Sequence, residues 1–202
     1  MAGSLDTTPI TGRRAEIRDA AAVLFESEGY YNTSMEMISD KLGIQKPTLY
    51  YYVESKGQLV AWIHDGICDQ FIADLQSRID SGLSPRECLQ FVILQIFETF
   101  ENKPGHLRVF FENHREIPDR YREVSKSKRD TYFNMVKGLI QRGIEEGIFK
   151  DRDPDLATFA LFGMCNWSYQ WYRRGGRYTA AQVSAEFWRI FGQGLEAQQE
   201  HG

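Results

Sequence analysis

Thr33-Ser34-Met35-Glu36-Met37-Ile38-Ser39-Asp40-Lys41-Leu42-Gly43-Ile44-Gln45-Lys46-Pro47-Thr48-Leu49-Tyr50-Tyr51-Tyr52-Val53 reads as two short helices folded across a glycine turn. Ser34 or Thr33 can cap the first helix, with Glu36 and Met37 in its first turn. Gly43 sits at the turn, where a positive φ costs glycine little. Pro47 falls in the first turn of the second helix, where its missing N–H is harmless. Met37, Ile38, Leu42, Ile44 and Leu49 supply apolar pins and leave Gln45, Lys46, Thr48, Tyr50 and Tyr51 facing outward.

A rigid partner helix, a tight turn and a second helix with small or polar tips make a helix-turn-helix, which sets its second helix in the major groove of DNA. Gln45, Lys46, Thr48 and Tyr51 are the residues expected at base edges, through amide, ammonium and methyl contacts, with Pro47 stiffening the start of the helix. Thr33, Tyr52 and Lys56 are expected on phosphates, which set register without reading sequence. The competing readings are a half-buried aromatic corner for Tyr50, Tyr51 and Tyr52, and an ordinary solvated lysine for Lys56.

Outward from this stretch the chain reads as helix after helix. Ile17, Ala20, Ala21, Leu24 and Phe25 form one apolar stripe over residues 13–28, ended by Gly29. Ser55 caps a long helix whose Leu59, Ile63, Ile67, Phe71, Leu75 and Ile79 recur every four residues. Gly82 and Pro85 break it. Residues 85–102 follow, then a break at Lys103-Pro104-Gly105 and a short segment ending near Pro118. A longer helix spans 119–146. Another, apolar on most faces, spans 154–173. The loop Arg173-Arg174-Gly175-Gly176-Arg177 leads to a last one. No alternation predicts a strand. The fold class is all-α, with about nine helices.

Of 202 residues, 42% are hydrophobic and 13% aromatic, which supports a packed core and excludes disorder. No apolar run is long enough to span a bilayer. The N-terminus lacks the basic-then-apolar order of a signal peptide, so a cytoplasmic protein with a flexible arm over residues 1–12 is expected. Cys68, Cys88 and Cys165 are far apart and odd in number, which disfavours a disulfide framework. They are either buried small apolar residues or, less simply, redox thiols. His64, His106, His114 and His201 show no metal-ligand spacing, and no metal or cofactor is expected. The net charge of −4 does not advertise nucleic-acid binding. Placement matters more than the sum, and Arg13, Arg14, Arg18, Lys46 and Lys56 allow a locally basic face.

Residues 13–60 resemble the DNA-binding domain of TetR-family transcriptional regulators. The resemblance rests on Ile17, Ala20, Leu24, Phe25, Gly29, Tyr30, Thr33, Ser34, Met35, Ile38, Leu42, Gly43, Thr48, Leu49, Tyr50, Tyr52, Lys56 and Leu59. Pro47 stands where this family often has glycine, Val53 where it usually has phenylalanine, and Ser39 where alanine is common. The resemblance implies a DNA-binding domain over 13–57 and an effector-binding and dimerisation domain over 58–202. It also implies a homodimer, a four-helix bundle between subunits, a pseudo-palindromic double-stranded operator, and release from DNA by a small-molecule effector.

Within that frame, Phe159, Phe162, Val183, Phe187, Ile190, Phe191 and Leu195 on the last two helices are expected at the dimer interface, because a helix apolar on most sides must bury more than one of them. The alternative is a core within one chain. Trp167 and Trp171 are expected on one helical face, with Asn166, Gln170 and Arg174 beside them. Flat apolar walls with a few fixed polar groups suit a bulky acid, and guanidinium groups suit its carboxylate or phosphate. Phe97, Phe100, Phe110, Phe111 and His114 are expected on the opposite wall. Plain core packing for the tryptophans, and a solvated loop for Arg173, Arg174 and Arg177, are the alternatives. The stretch from Gly163 to Arg174 also resembles TetR-type repressors of lipid and steroid catabolism in actinobacteria, which implies an acyl-CoA thioester as effector.

Two other function classes compete with this one. An enzyme needs a nucleophile–base pair or metal ligands, and the loose grouping of Glu98, Glu101, His106, Glu112 and His114 supplies neither. A helical adaptor that binds protein through its tyrosines would show salt-insensitive binding, where a DNA-binding protein would not.

Overall fold

The computed structural model describes residues 11–196. Most of the expected N-terminal arm, residues 1–10, lies outside them. The elements in chain order are α1 (Arg13–Glu28), α2 (Met35–Lys41), α3 (Lys46–Tyr52), α4 (Lys56–Asp80), α5 (Pro85–Asn102), α6 (His106–Glu112), α7 (Asp119–Glu145), α8 (Pro154–Asn166) and α9 (Ala180–Leu195). Short 3-10 turns cover His114–Glu116 and Trp167–Gln170. The fold is all-α, and the described residues form no strand beyond a single bridge between Phe149 and Glu196.

The helix starts are set by short-range chemistry. Ser34 Oγ accepts from the Met37 N–H at 3.1 Å and so caps α2. Ser55 Oγ does the same for Gln58 at 3.2 Å at the head of α4. Ser84 and Glu87 close a reciprocal box ahead of α5, and Thr179 with Gln182 closes one ahead of α9. Proline occupies the first turn of α3 and α8, where no N–H is needed.

The chain divides into two compact units. The first holds described residues 11–69 and 103–128, and the second holds 70–102 and 129–196. The compact units do not divide at residue 57, the expected boundary, and α6 belongs with the helix-turn-helix. In the first unit, Ile17, Ala21 and Phe25 of α1 share a core with Ile38 of α2, Leu49 of α3 and Leu59 and Ile63 of α4. In the second unit α5 packs along α9. An aromatic group forms there, with Phe97 next to Tyr172 and Phe187 at 5.3 Å each, and Trp171 at 6.3 Å.

One segment departs from its sequence pattern. The apolar run from 154 was expected to stay helical to 173, but α8 ends at Asn166 and continues as a 3-10 turn. At three residues per turn, positions four apart do not align, and Trp171 lies past the turn's end. Trp167 and Trp171 therefore do not share a helical face. Cys68, Cys88 and Cys165 are buried. Burial pushes the Cys88 and Cys165 thiols up, Cys165 to about 12. A redox role for those two fails, since the thiolate is the reactive form. No described helix is long and apolar enough to cross a membrane.

Candidate functional site

The α2–α3 turn is built so that one side chain anchors and its neighbours project. Gly43 takes φ 64°. The Gly43 N–H donates to Asp40 O and the Ile44 N–H to Ser39 O, both at 3.0 Å, which closes the end of α2. Leu49, at 0% exposure, pins α3 into the core. Around it Gln45, Lys46, Pro47, Thr48, Tyr50 and Tyr51 are all exposed, Tyr51 at 83%. Tyr52 is half-buried and meets the Tyr51 ring edge-on at 5.1 Å. Seven residues with one inward anchor leave a polar, hydroxyl-bearing ridge free for base edges and phosphates.

Thr33 does not project toward a phosphate. It was expected on a phosphate, but it is 1% exposed, and its hydroxyl lies 2.9 Å from Gly29 O and 3.2 Å from Leu24 O, donating to the end of α1. Its work is to hold the α1–α2 connection. Lys56 is half-buried, with its ammonium 2.7 Å from Tyr30 O and 4.6 Å from the Tyr30 ring centroid. Burial pulls its pKa down, against the opposing pull of Glu116. It braces the same connection.

The expected basic face is narrower than the sequence suggests. Arg18 is directed to Asp19 at 2.7 Å, and Arg13 to Glu16 at 2.5 Å. Arg14 lies over the Trp62 ring, and Lys46 stands 3.9 Å from Glu36. Tyr31, outside the expected set, is highly exposed and donates to Glu116 Oε1 at 2.5 Å. That hydrogen bond pushes the Tyr31 hydroxyl up. No short-range pattern announces a partner 85 positions away.

The residues expected around an effector fall in different places. Phe97, Phe100, Asn166, Trp167, Gln170, Trp171 and Arg174 lie in the second unit, and Phe110, Phe111 and His114 in the first. Phe97 is buried in the aromatic group, with Phe100 and Trp171 against it. Trp167, Gln170 and Arg174 are exposed, and Asn166 is half-buried. Phe110 stacks flat on the buried His64 ring at 4.4 Å, and Phe111 meets Phe110 edge-on. His114 sits in the 3-10 turn and is exposed, with Nδ1 at 3.1 Å from Phe111 O, so it does not line a buried wall.

The expected dimer set also divides. Val183 and Leu195 are buried within the second unit and are corrected to core. Phe162 packs on Tyr132 and Phe133, and Phe187 on Phe97 and Trp171. Phe191 is half-buried beside Trp188. Phe159 and Ile190 project from their helices and are more than half exposed. Leu156, Ala160 and Gly163 continue the outward stripe of α8, and Trp167 extends it at 65% exposure. The all-round apolarity of α8 hid which stripe turned outward.

Residues 17–63 match the model of bacterial regulatory proteins, tetR family. Residues 82–195 match the tetracyclin repressor-like C-terminal domain. The chain belongs to the TetR family. It is a DNA-binding transcriptional regulator with a ligand-responsive fold, not an enzyme. Among its relatives is the HTH-type transcriptional repressor KstR2 of Rhodococcus jostii, 28% identical and covered to 94% in both chains. The Mycobacterium tuberculosis KstR2 is 29% identical over 90% of this chain and 92% of its own. The solved structure of the ketosteroid transcriptional regulator KstR2 of M. tuberculosis superposes with TM-score 0.82, covering 94% of this chain and 98% of that one. AibR, crystallised with isovaleryl coenzyme A and operator DNA, shares the fold at 23% identity and TM-score 0.76, over 89% and 96% of the two chains.

Proposed function

We propose that this TetR-family regulator is a cytoplasmic homodimeric repressor that leaves a pseudo-palindromic operator when it binds a CoA thioester of lipid or steroid breakdown. The observation that carries the DNA half is the exposed ridge Gln45–Lys46–Pro47–Thr48 with Tyr51, raised on the buried Leu49 anchor. Gln45, Lys46, Thr48 and Tyr51 meet base edges, and Tyr52 and Lys56 serve the phosphates or brace the residues that do. Repression is supported by the repressors named KstR2.

The effector class is supported by one neighbour that is a ketosteroid transcriptional regulator and another that was crystallised with isovaleryl coenzyme A. In the second unit, Phe100 and Trp171, packed against the buried Phe97, offer aromatic surface, and the exposed Arg174 offers a guanidinium for phosphate. Dimerisation uses the outward stripe of Leu156, Phe159, Ala160 and Gly163 together with Ile190, since a contiguous apolar surface marks an interaction site. Functional domains then run over 13–57 and 58–202. A ligand releases DNA only by favouring one separation of the two reading heads over the other.

A gel shift on the DNA upstream of its own gene, with a panel of CoA thioesters of short-chain, long-chain and ring-bearing acids, tests this reading. A salt-sensitive shift that one class of thioester reverses is the expected result. A shift that no thioester reverses would remove the effector class and leave the DNA reading standing. Trp171→Ala is expected to keep the shift and blunt the release.

A further inference from the structure

The first unit contains a second network, apart from the DNA-facing ridge. Gly105, with φ 79°, has no room for a side chain: a Cβ there would stand 2.1 Å from the Ala22 carbonyl oxygen. The start of α6 therefore rests directly on the backbone of α1. The next residue, His106, is buried. Its Nε2 lies 3.0 Å from Asp19 Oδ1 on α1, and its Nδ1 lies 3.1 Å from the Pro104 carbonyl oxygen.

Both partners accept and neither donates. The Asp19 carboxyl is raised by burial but lowered further by hydrogen bonds from His106 and Arg18 and by their charges, and it settles at about 2. A neutral imidazole has one N–H and one lone pair, so between two acceptors it leaves one oxygen facing a lone pair. An imidazolium donates to both. We propose that His106 is a proton-dependent latch: its doubly protonated ring, held between Asp19 and Pro104, fixes α6 to α1, and loss of one proton loosens the scaffold of the DNA-reading head.

The charges around the ring fit this role. On α1, Asp19 faces Nε2, and Arg18, at 2.7 Å from the same carboxylate, lies against Gly66 of α4. Glu26, farther along α1, lies against Gly105. In its own segment, Lys103 supplies the carbonyl that accepts the His106 N–H. On α4, Asp65 is turned to Ser125 and Lys128. α1 is the helix whose Ile17, Ala21 and Phe25 share a core with Leu49, so what loosens α1 reaches the anchor of the reading helix.

Two measurements on the full-length protein test the latch. In ring-nitrogen NMR of histidine-labelled protein at about pH 6, both nitrogens of His106 are expected to carry slowly exchanging protons. A bare nitrogen on a folded His106 would overturn the proposal. The second is binding to a duplex of the gene's own upstream DNA, at constant ionic strength, at about pH 6 and about pH 8.5. The wild type is expected to lose about tenfold more affinity over this interval than His106→Gln or Asp19→Asn. Equal losses in wild type and variants would also overturn it. Should a variant not fold, or the duplex not bind, the ring spectrum decides alone.

Discussion

α3 and α8 both turn large side chains to the outside, and they do so in different company. α3 exposes Tyr50 and Tyr51 among Gln45, Lys46 and Thr48, so every exposed ring ends in a hydroxyl and has polar neighbours. α8 exposes Phe159 among Leu156, Ala160 and Gly163, with Trp167 just past its end, and offers almost nothing polar. Exposure alone does not name a partner. A ridge of donors and hydroxyls is matched by phosphates and base edges, and an apolar stripe with small residues is matched by another apolar surface that can approach closely.

The largest expected effect breaks the second half of this contrast. Phe159→Glu places a charge on the apolar stripe and is expected to weaken self-association about a hundredfold or more, read by sedimentation equilibrium. Its position more than half outside the second unit's core means the secondary structure should persist. Unchanged association would return the α8 stripe to ordinary surface.

Thr33→Val and Tyr51→Ala sharpen the first half. Thr33 holds two carbonyls from inside, so Thr33→Val is expected to lower unfolding free energy by about 1–2 kcal/mol. Tyr51→Ala is expected to leave stability within about 0.5 kcal/mol and to weaken operator binding instead. Denaturant titration beside DNA titration separates the two. Reversed outcomes would restore Thr33 to the interface.

The smallest effect is acid-linked. Asp19 in the folded chain sits at about 2, below its ordinary value of 3.8. A depressed carboxylate gives stability that is present above the ordinary value and lost as pH falls through the folded one. The α1–α6 contact should therefore weaken as pH drops from 3.8 toward about 2. Thermal unfolding across that interval is expected to be less pH-dependent in Asp19→Asn, and identical slopes would refute the assignment.

Much of this was legible in the residues because it rests on short-range rules. Caps, proline placements and the four-residue rhythm of α4 are local, and they located the α-helices of the described residues. The outward ridge of α3 followed from one anchor at Leu49. What escaped depended on how segments come together in the folded chain. Thr33 looked like a free hydroxyl until Leu24 and Gly29 were placed beside it. His106 looked like part of a loose acidic grouping until Asp19, 87 positions earlier, came to face it. Val183 and Leu195 looked like dimer contacts because periodicity reports that a face is apolar, not which apolar surface covers it. The end of α8 at Asn166 was also hidden, because an apolar run does not distinguish α-helix from a 3-10 turn.

The most direct test of the DNA-reading helix is operator affinity measured over a full set of single base-pair substitutions, for wild type, Gln45→Ala and Thr48→Ala. Each variant is expected to lose discrimination at one or two base pairs per half-site, by about 1–3 kcal/mol, and to keep it elsewhere. Profiles identical to wild type in both variants would contradict the placement of α3 against base edges.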